Sequence, residues 1–206
     1  GVVLLIFIHE MGHLIAARMT GLRVSLPLFI PFFGARILMR EMPRNAWIEA
    51  INGIGGPILG SIGAVAAFGL YFVTHQPLFL DLAYFGFMIN LFNLIPIVPL
   101  DGGRIVTAIS PWLWVVGLCV MLPYLVYRVM TYGLFGGFGL IFVIAIIITS
   151  LPRVIALFRG HTPEQARYYE CTPAQRIVMA LLYFSLIGSL YYGMQLVRDL
   201  LPPGTV

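Results

Sequence analysis

Residues 2–19 form an apolar run that can enter a lipid bilayer, and in lipid a backbone satisfies its own N–H and C=O groups only as a helix or a closed barrel. The run is nearly continuous in hydrophobicity rather than alternating, so a helix over Val2–Met19 is the expected form. Set into it is His9-Glu10-Met11-Gly12-His13, three polar, metal-competent side chains at lipid depth. His9 and His13 are four apart, so a helix puts both on one face, where each can turn an imidazole nitrogen toward one ion. A shuffled chain of this composition would hold the H-E-x-x-H pattern roughly 0.003 times or less. A lone intramembrane histidine is often a packing residue, but this pair with its adjacent Glu is costly unless paired or bound to metal.

Hydrophobic residues make up 60% of the chain and charged residues 10%, which excludes a soluble domain and leaves an integral membrane protein. The 206 residues accommodate about six spans of about 20 residues with short connections. A single membrane-embedded domain over 1–206 is therefore expected, with its informative motifs in 1–110. The net charge of +4, carried entirely by scattered arginines, gives no nucleic-acid footprint. The chain opens on Gly1 directly before an apolar run, and residues upstream are expected.

Six spans are predicted: Val2–Met19, Ala46–Thr74, Leu78 to about Pro99, Pro111–Met130, Gly137–Phe158 and Ile177–Val197. The resulting fold is an all-α membrane bundle of about six transmembrane helices. Between the first two spans, Gly21 to Arg44 alternates around a Pro31-Phe32-Phe33-Gly34 turn and reads as a short amphipathic β-hairpin. An open sheet edge cannot face lipid, so the hairpin is expected at the cytoplasmic interface or against the other helices. The second span is rich in glycine, which permits close helix approach or a break at Pro57. Arg159 to Arg176 reads as a polar loop.

Alternating the connections places arginines 18, 23, 36, 40, 44, 104, 153, 159, 167 and 176 on one side and only 128 and 198 on the other. By the positive-inside rule the Arg-rich side is cytoplasmic. His13 then lies about 9 Å below the cytoplasmic end of its helix, and Asp101 falls in the same leaflet. A multi-pass protein of the cell membrane with its site toward the cytoplasm is the expectation.

A catalytic zinc takes three protein ligands and keeps a fourth position open, and the histidines supply two. Asp101 is the best third, because Gly102-Gly103 lets the backbone turn close to the site, whereas Asp81 is predicted on the opposite side. Helix capping is the other reading of Asp101. Glu10 is then placed as general base, taking a proton from the attacking water and passing it to the leaving amine in peptide hydrolysis. Asn93 lies eight residues before Asp101, in a segment that Pro96 and Pro99 break from regular helix. It is a candidate oxyanion donor, or equally a helix–helix hydrogen bond.

These residues resemble the site-2 proteases, intramembrane zinc metallopeptidases that cut transmembrane substrates to release a regulatory fragment. His9-Glu10-Met11-Gly12-His13 is similar to the family's zinc-binding helix. Asn93-Leu94-Ile95-Pro96 through Leu100-Asp101-Gly102-Gly103 is similar to its second motif, in which the Asp is the third ligand. Gly55-Gly56-Pro57 resembles its Gly-Pro element, although Gly60 stands where the family often has Asn.

The resemblance implies one zinc per chain, ligands His9, His13 and Asp101, and a membrane-anchored protein substrate with a single transmembrane helix. It also implies a helix upstream of the motif. Neither a PDZ insertion, for which His75 to Leu78 is too short, nor a cystathionine-β-synthase pair is expected, which leaves a minimal core. The rival from another class is a divalent-cation transporter or zinc sensor with the same ligands and no hydrolysis, against which spans four to six offer no charged or His ladder. A catalytically dead scaffold is a third reading, and it leaves the presumed ligands and base unexplained.

Overall fold

The structure is a computed structural model that describes residues 1–24, 28–30, 34–36, 42–132, 138–160 and 162–201. It is helical: α1 (Val2–Met19), α2 (Ala46–Thr74), α3 (Pro77–Asn93), α4 (Asp101–Ile109), α5 (Leu113–Tyr132), α6 (Phe138–Arg159), α7 (Pro163–Tyr168) and α8 (Pro173–Arg198). Helix α2 is the centre of the packing, with α1, α3 and α4 laid against it and α8 against α3 and α4.

The interior is apolar with a few buried polar groups, and large apolar side chains also cover the outside, unlike a soluble domain. His9, His13, Asn52, Asn90 and Asp101 are buried, while Val3, Leu4, Phe7 and Ile15 of α1 and Ile177, Leu181 and Phe184 of α8 are exposed. Outward apolar side chains over whole helices suit lipid and not water. The chain is a membrane protein.

The count of six spans is corrected. Among the described residues four helices are long and apolar enough to cross a membrane: Val2–Met19, Ala46–Thr74, Leu113–Thr131 and Pro173–Arg198. The third predicted span ends early. Helix α3 stops at Asn93 because Pro96 and Pro99 cannot continue it, and its 17 residues rise only about 26 Å, short of the roughly 30 Å hydrocarbon core. The fifth predicted span coincides with α6, which is not among the four.

In the predicted hairpin, three-residue strands β1 (Leu28–Ile30) and β2 (Gly34–Arg36) pair antiparallel, Leu28 opposite Arg36. Residues 25–27, 31–33 and 37–41 of that stretch lie outside the described residues. Three residues a side do not make a sheet layer, so the architecture is α-helical.

The stretch expected as a polar loop contains α7, and α8 begins at Pro173 rather than near Ile177. Both starts share one device, Thr-Pro-x-Gln: the Thr162 and Thr172 hydroxyls each accept from the Gln N–H three residues on, and each Gln side chain returns the bond. Arg176 ties this region to α4, donating to the carbonyls of Ile109 at 2.7 Å, Tyr169 at 3.1 Å and Cys171 at 3.3 Å.

Close approach of α1 and α2 rests on small residues. A Cβ on Gly12 would lie 2.1 Å from the Gly55 carbonyl oxygen, and one on Gly55 would lie 2.7 Å from Ala16 Cβ. The two backbones touch there. Helix α2 runs on through Pro57, so the glycines serve close approach and the chain does not break.

Candidate metal centre

Helix α1 presents Leu5, His9, Gly12, His13 and Ala16 on its buried face, the i, i+4, i+7 pattern that the sequence spacing dictates. Asp101 arrives from the irregular segment after α3. Residues 94–100 fold back over the start of α4, and a Cβ on Gly102 would sit 2.2 Å from the Leu94 oxygen, one on Gly103 2.4 Å from the Ile97 carbonyl carbon. Only hydrogen fits at either place. The Tyr183 hydroxyl on Leu94 O and the Trp114 indole N–H on Gly103 O, at 2.7 Å, fasten the segment.

Asp101 is the first residue of α4, behind an N-cap position held by Leu100. Its carboxylate points to the histidines: His9 Nε2 lies 3.0 Å and His13 Nε2 3.2 Å from Oδ2, and the two Nε2 atoms are 3.1 Å apart. Its other oxygen is 3.7 Å from Arg104. His9, His13 and Asp101 are the group able to hold a metal ion among the described residues, all three buried.

The donor atoms fit zinc. Ligands at about 2.0–2.2 Å in tetrahedral array stand roughly 3.3 Å apart, close to the 3.0–3.2 Å found here. The proton positions fit as well. His13 Nδ1 is 2.7 Å from the Asn52 carbonyl oxygen, which can only accept, so Nδ1 carries the hydrogen and Nε2 offers a lone pair. The space for that ring exists because residue 56 is Gly: a Cβ there would fall 2.3 Å from His13 Nε2.

Of the other residues singled out from the sequence, Glu10 follows His9 on α1 and is partly buried. Asn93 closes α3, partly buried, and no hydrogen bond joins it to the three among the described residues. Two asparagines that the sequence reading passed over are in contact with the histidines: Asn52 through its carbonyl and Asn90 through its side chain. A signal for Asn90 was available, since it is an amide within a largely apolar helix, whereas Asn52 acts through its backbone carbonyl, which its identity does not announce.

A cavity of about 340 Å³ lies elsewhere, lined by Glu49, Trp114, Arg153, Tyr168 and Tyr169 among others. Glu49 accepts from the Tyr168 hydroxyl at 2.8 Å and stands 3.6 Å from Arg153. Burial and the Glu49 carboxylate push the Tyr168 phenol well above its usual value, so it remains a donor. None of the three candidate ligands lines this cavity; at its wall the Tyr168 hydroxyl ties α7 to Glu49 of α2.

Comparison with known proteins bears on the same residues. Residues 1–79 match peptidase family M50. The site-2 protease resemblance is shown by this match, which carries His9, Glu10, His13 and Gly55-Gly56-Pro57. A zinc metalloprotease of Methanocaldococcus jannaschii, similar to this chain, is 34% identical over 109 residues, covering 50% of this chain and 31% of the relative. The chain thus spans about a third of that relative's length.

Proposed function

We propose that this chain is the catalytic core of a zinc metalloprotease that hydrolyses a peptide bond in or near the transmembrane segment of membrane-anchored proteins. The observation that carries the reading is the buried set of His9 Nε2, His13 Nε2 and Asp101 Oδ2, spaced as a tetrahedral zinc requires, directly beside Glu10. These three side chains would hold the zinc, which when bound acidifies water and polarises the scissile carbonyl. Glu10 takes the proton from the attacking water and delivers it to the leaving amine. Asn93 donates to the oxygen on which charge develops.

A transmembrane helix hides its amides in its own hydrogen bonds, so a single-span substrate must unwind locally to offer a bond for cleavage. The strand pair Leu28–Ile30 and Gly34–Arg36 can receive the unwound segment along an edge. The run of Arg18, Arg23, Arg36, Arg40 and Arg44 between the end of α1 and the start of α2, which does not depend on the number of spans, supports a multi-pass arrangement in the cell membrane with cutting near the cytoplasmic leaflet and release of a cytoplasmic regulatory fragment.

The test is Glu10→Gln. Cleavage of a single-span reporter is expected to be lost while zinc stays near one per chain; retained cleavage overturns the mechanism. Zinc flux into liposomes without cleavage by the unsubstituted chain would replace it with transport.

A further inference from the structure

His9 has a second nitrogen, and what meets it is a side chain. Its Nδ1 lies 2.8 Å from Asn90 Oδ1, a buried contact between α1 and α3. Which end of the carboxamide faces the ring is settled by the other end: Asn90 Nδ2 donates to the Gly86 carbonyl at 2.7 Å. The oxygen is left for His9, and an oxygen of an amide only accepts, so Nδ1 must carry the hydrogen. A neutral imidazole has one such hydrogen. Nε2 is thereby left as a lone pair directed at Asp101 and His13.

Asn90 holds this position because of a third residue. A Cβ on Gly60 of α2 would fall 2.2 Å from Asn90 Oδ1 and 2.8 Å from both Cγ and Nδ2. Any side chain at 60 would displace the carboxamide. Asn90 is 2% exposed, in a largely apolar helix, where a buried amide is costly unless both its ends are partnered. Here both are.

We propose that Asn90 is a positioning residue for the metal centre, fixing His9 in the tautomer and ring orientation that ligation needs, and that Gly60 is the socket that seats it. The inference rests on the metal reading of His9, His13 and Asp101. Helix α3, too short to span and supplying none of the three ligands, thus takes part in the site through one hydrogen bond. His13 is oriented by a backbone carbonyl that no substitution removes, whereas His9 depends on a side chain and on the glycine opposite it.

The experiment measures zinc affinity of the full chain in detergent by chelator competition, with the visible spectrum of the cobalt-substituted protein as a second readout. Asn90→Leu keeps the branched shape and deletes the acceptor; zinc binding is expected to weaken roughly 10–100-fold, with a changed cobalt spectrum. Asn90→Asp keeps an acceptor and is expected to hold affinity within a few-fold. Gly60→Ala, with Asn90 intact, is expected to weaken binding as Asn90→Leu does.

Wild-type affinity and spectrum in Asn90→Leu, or equal losses in the Leu and Asp variants, overturn the inference. If Asn90→Leu does not fold, Gly60→Ala decides: unchanged affinity there overturns it. An unsubstituted chain that binds no zinc overturns the metal reading itself, a result distinct from either.

Discussion

His9 Nε2 and His13 Nε2 face each other across 3.1 Å, both directed at the Asp101 carboxylate. With the Nδ1 hydrogens committed to Asn90 and the Asn52 carbonyl, two lone pairs and a carboxylate converge in a buried space, an arrangement that repels itself until a cation enters. Chelation is therefore expected to lower the melting temperature in detergent, and zinc at 100 times its Kd to restore about 2.7 kcal/mol. A melting temperature indifferent to zinc would count against a metal in this cluster.

Gly56 is expected to be intolerant of even one carbon. Its Cβ would occupy the place of the His13 ring, 2.3 Å from Nε2, and that ring is held from behind by the Asn52 carbonyl. Gly56→Ala should depress zinc affinity by more than tenfold, on the scale of disturbing a ligand's support. Zinc titration of the folded variant checks it.

The α1–α2 contact makes an independent prediction. At Gly12 an added Cβ meets backbone, 2.1 Å from Gly55 O, so Gly12→Ala must force the helices apart and is expected to cost about 2–4 kcal/mol or prevent folding. Gly69 of the same α2 has nothing within 4 Å of such a carbon, and Gly69→Ala is expected to be neutral or to stabilise by up to about 1 kcal/mol. Thermal unfolding of the two side by side distinguishes packing from a general intolerance of alanine in these helices.

What the sequence disclosed follows from what local geometry determines. The i, i+4 spacing of His9 and His13 fixes their common face before any tertiary contact, and the Pro96 and Pro99 break with Gly102-Gly103 announces a close turn at Asp101. The seating of Asn90 against His9 was not legible, because it depends on how far α3 is rotated about its axis on α2, a quantity fixed by packing at Gly60.

The span count failed for a related reason. Hydropathy continues through Ile95, Ile97 and Val98, while the prolines had already ended the helix at Asn93. The Thr-Pro-x-Gln starts of α7 and α8 were readable as capping boxes, but the polar composition around them suggested a loop.

Arg176 offers a prediction that separates fold from site. Its guanidinium gathers three backbone carbonyls, those of Ile109 at the end of α4 and of Tyr169 and Cys171 before α8, and so joins two elements that have no shared ladder. Hydrogen bonds from a charged donor are worth about 1.5–3 kcal/mol when buried, and this side chain is only partly buried, so Arg176→Met is expected to cost about 1–3 kcal/mol in total. Because α4 is also fastened at its other end by Trp114 on Gly103, the candidate ligand Asp101 should stay in place. The variant should melt earlier yet bind zinc with unchanged affinity below its transition, as measured by denaturation and chelator competition on the same preparation. A loss of zinc affinity without a loss of stability would mean that the α4–α8 clamp governs the position of Asp101 directly.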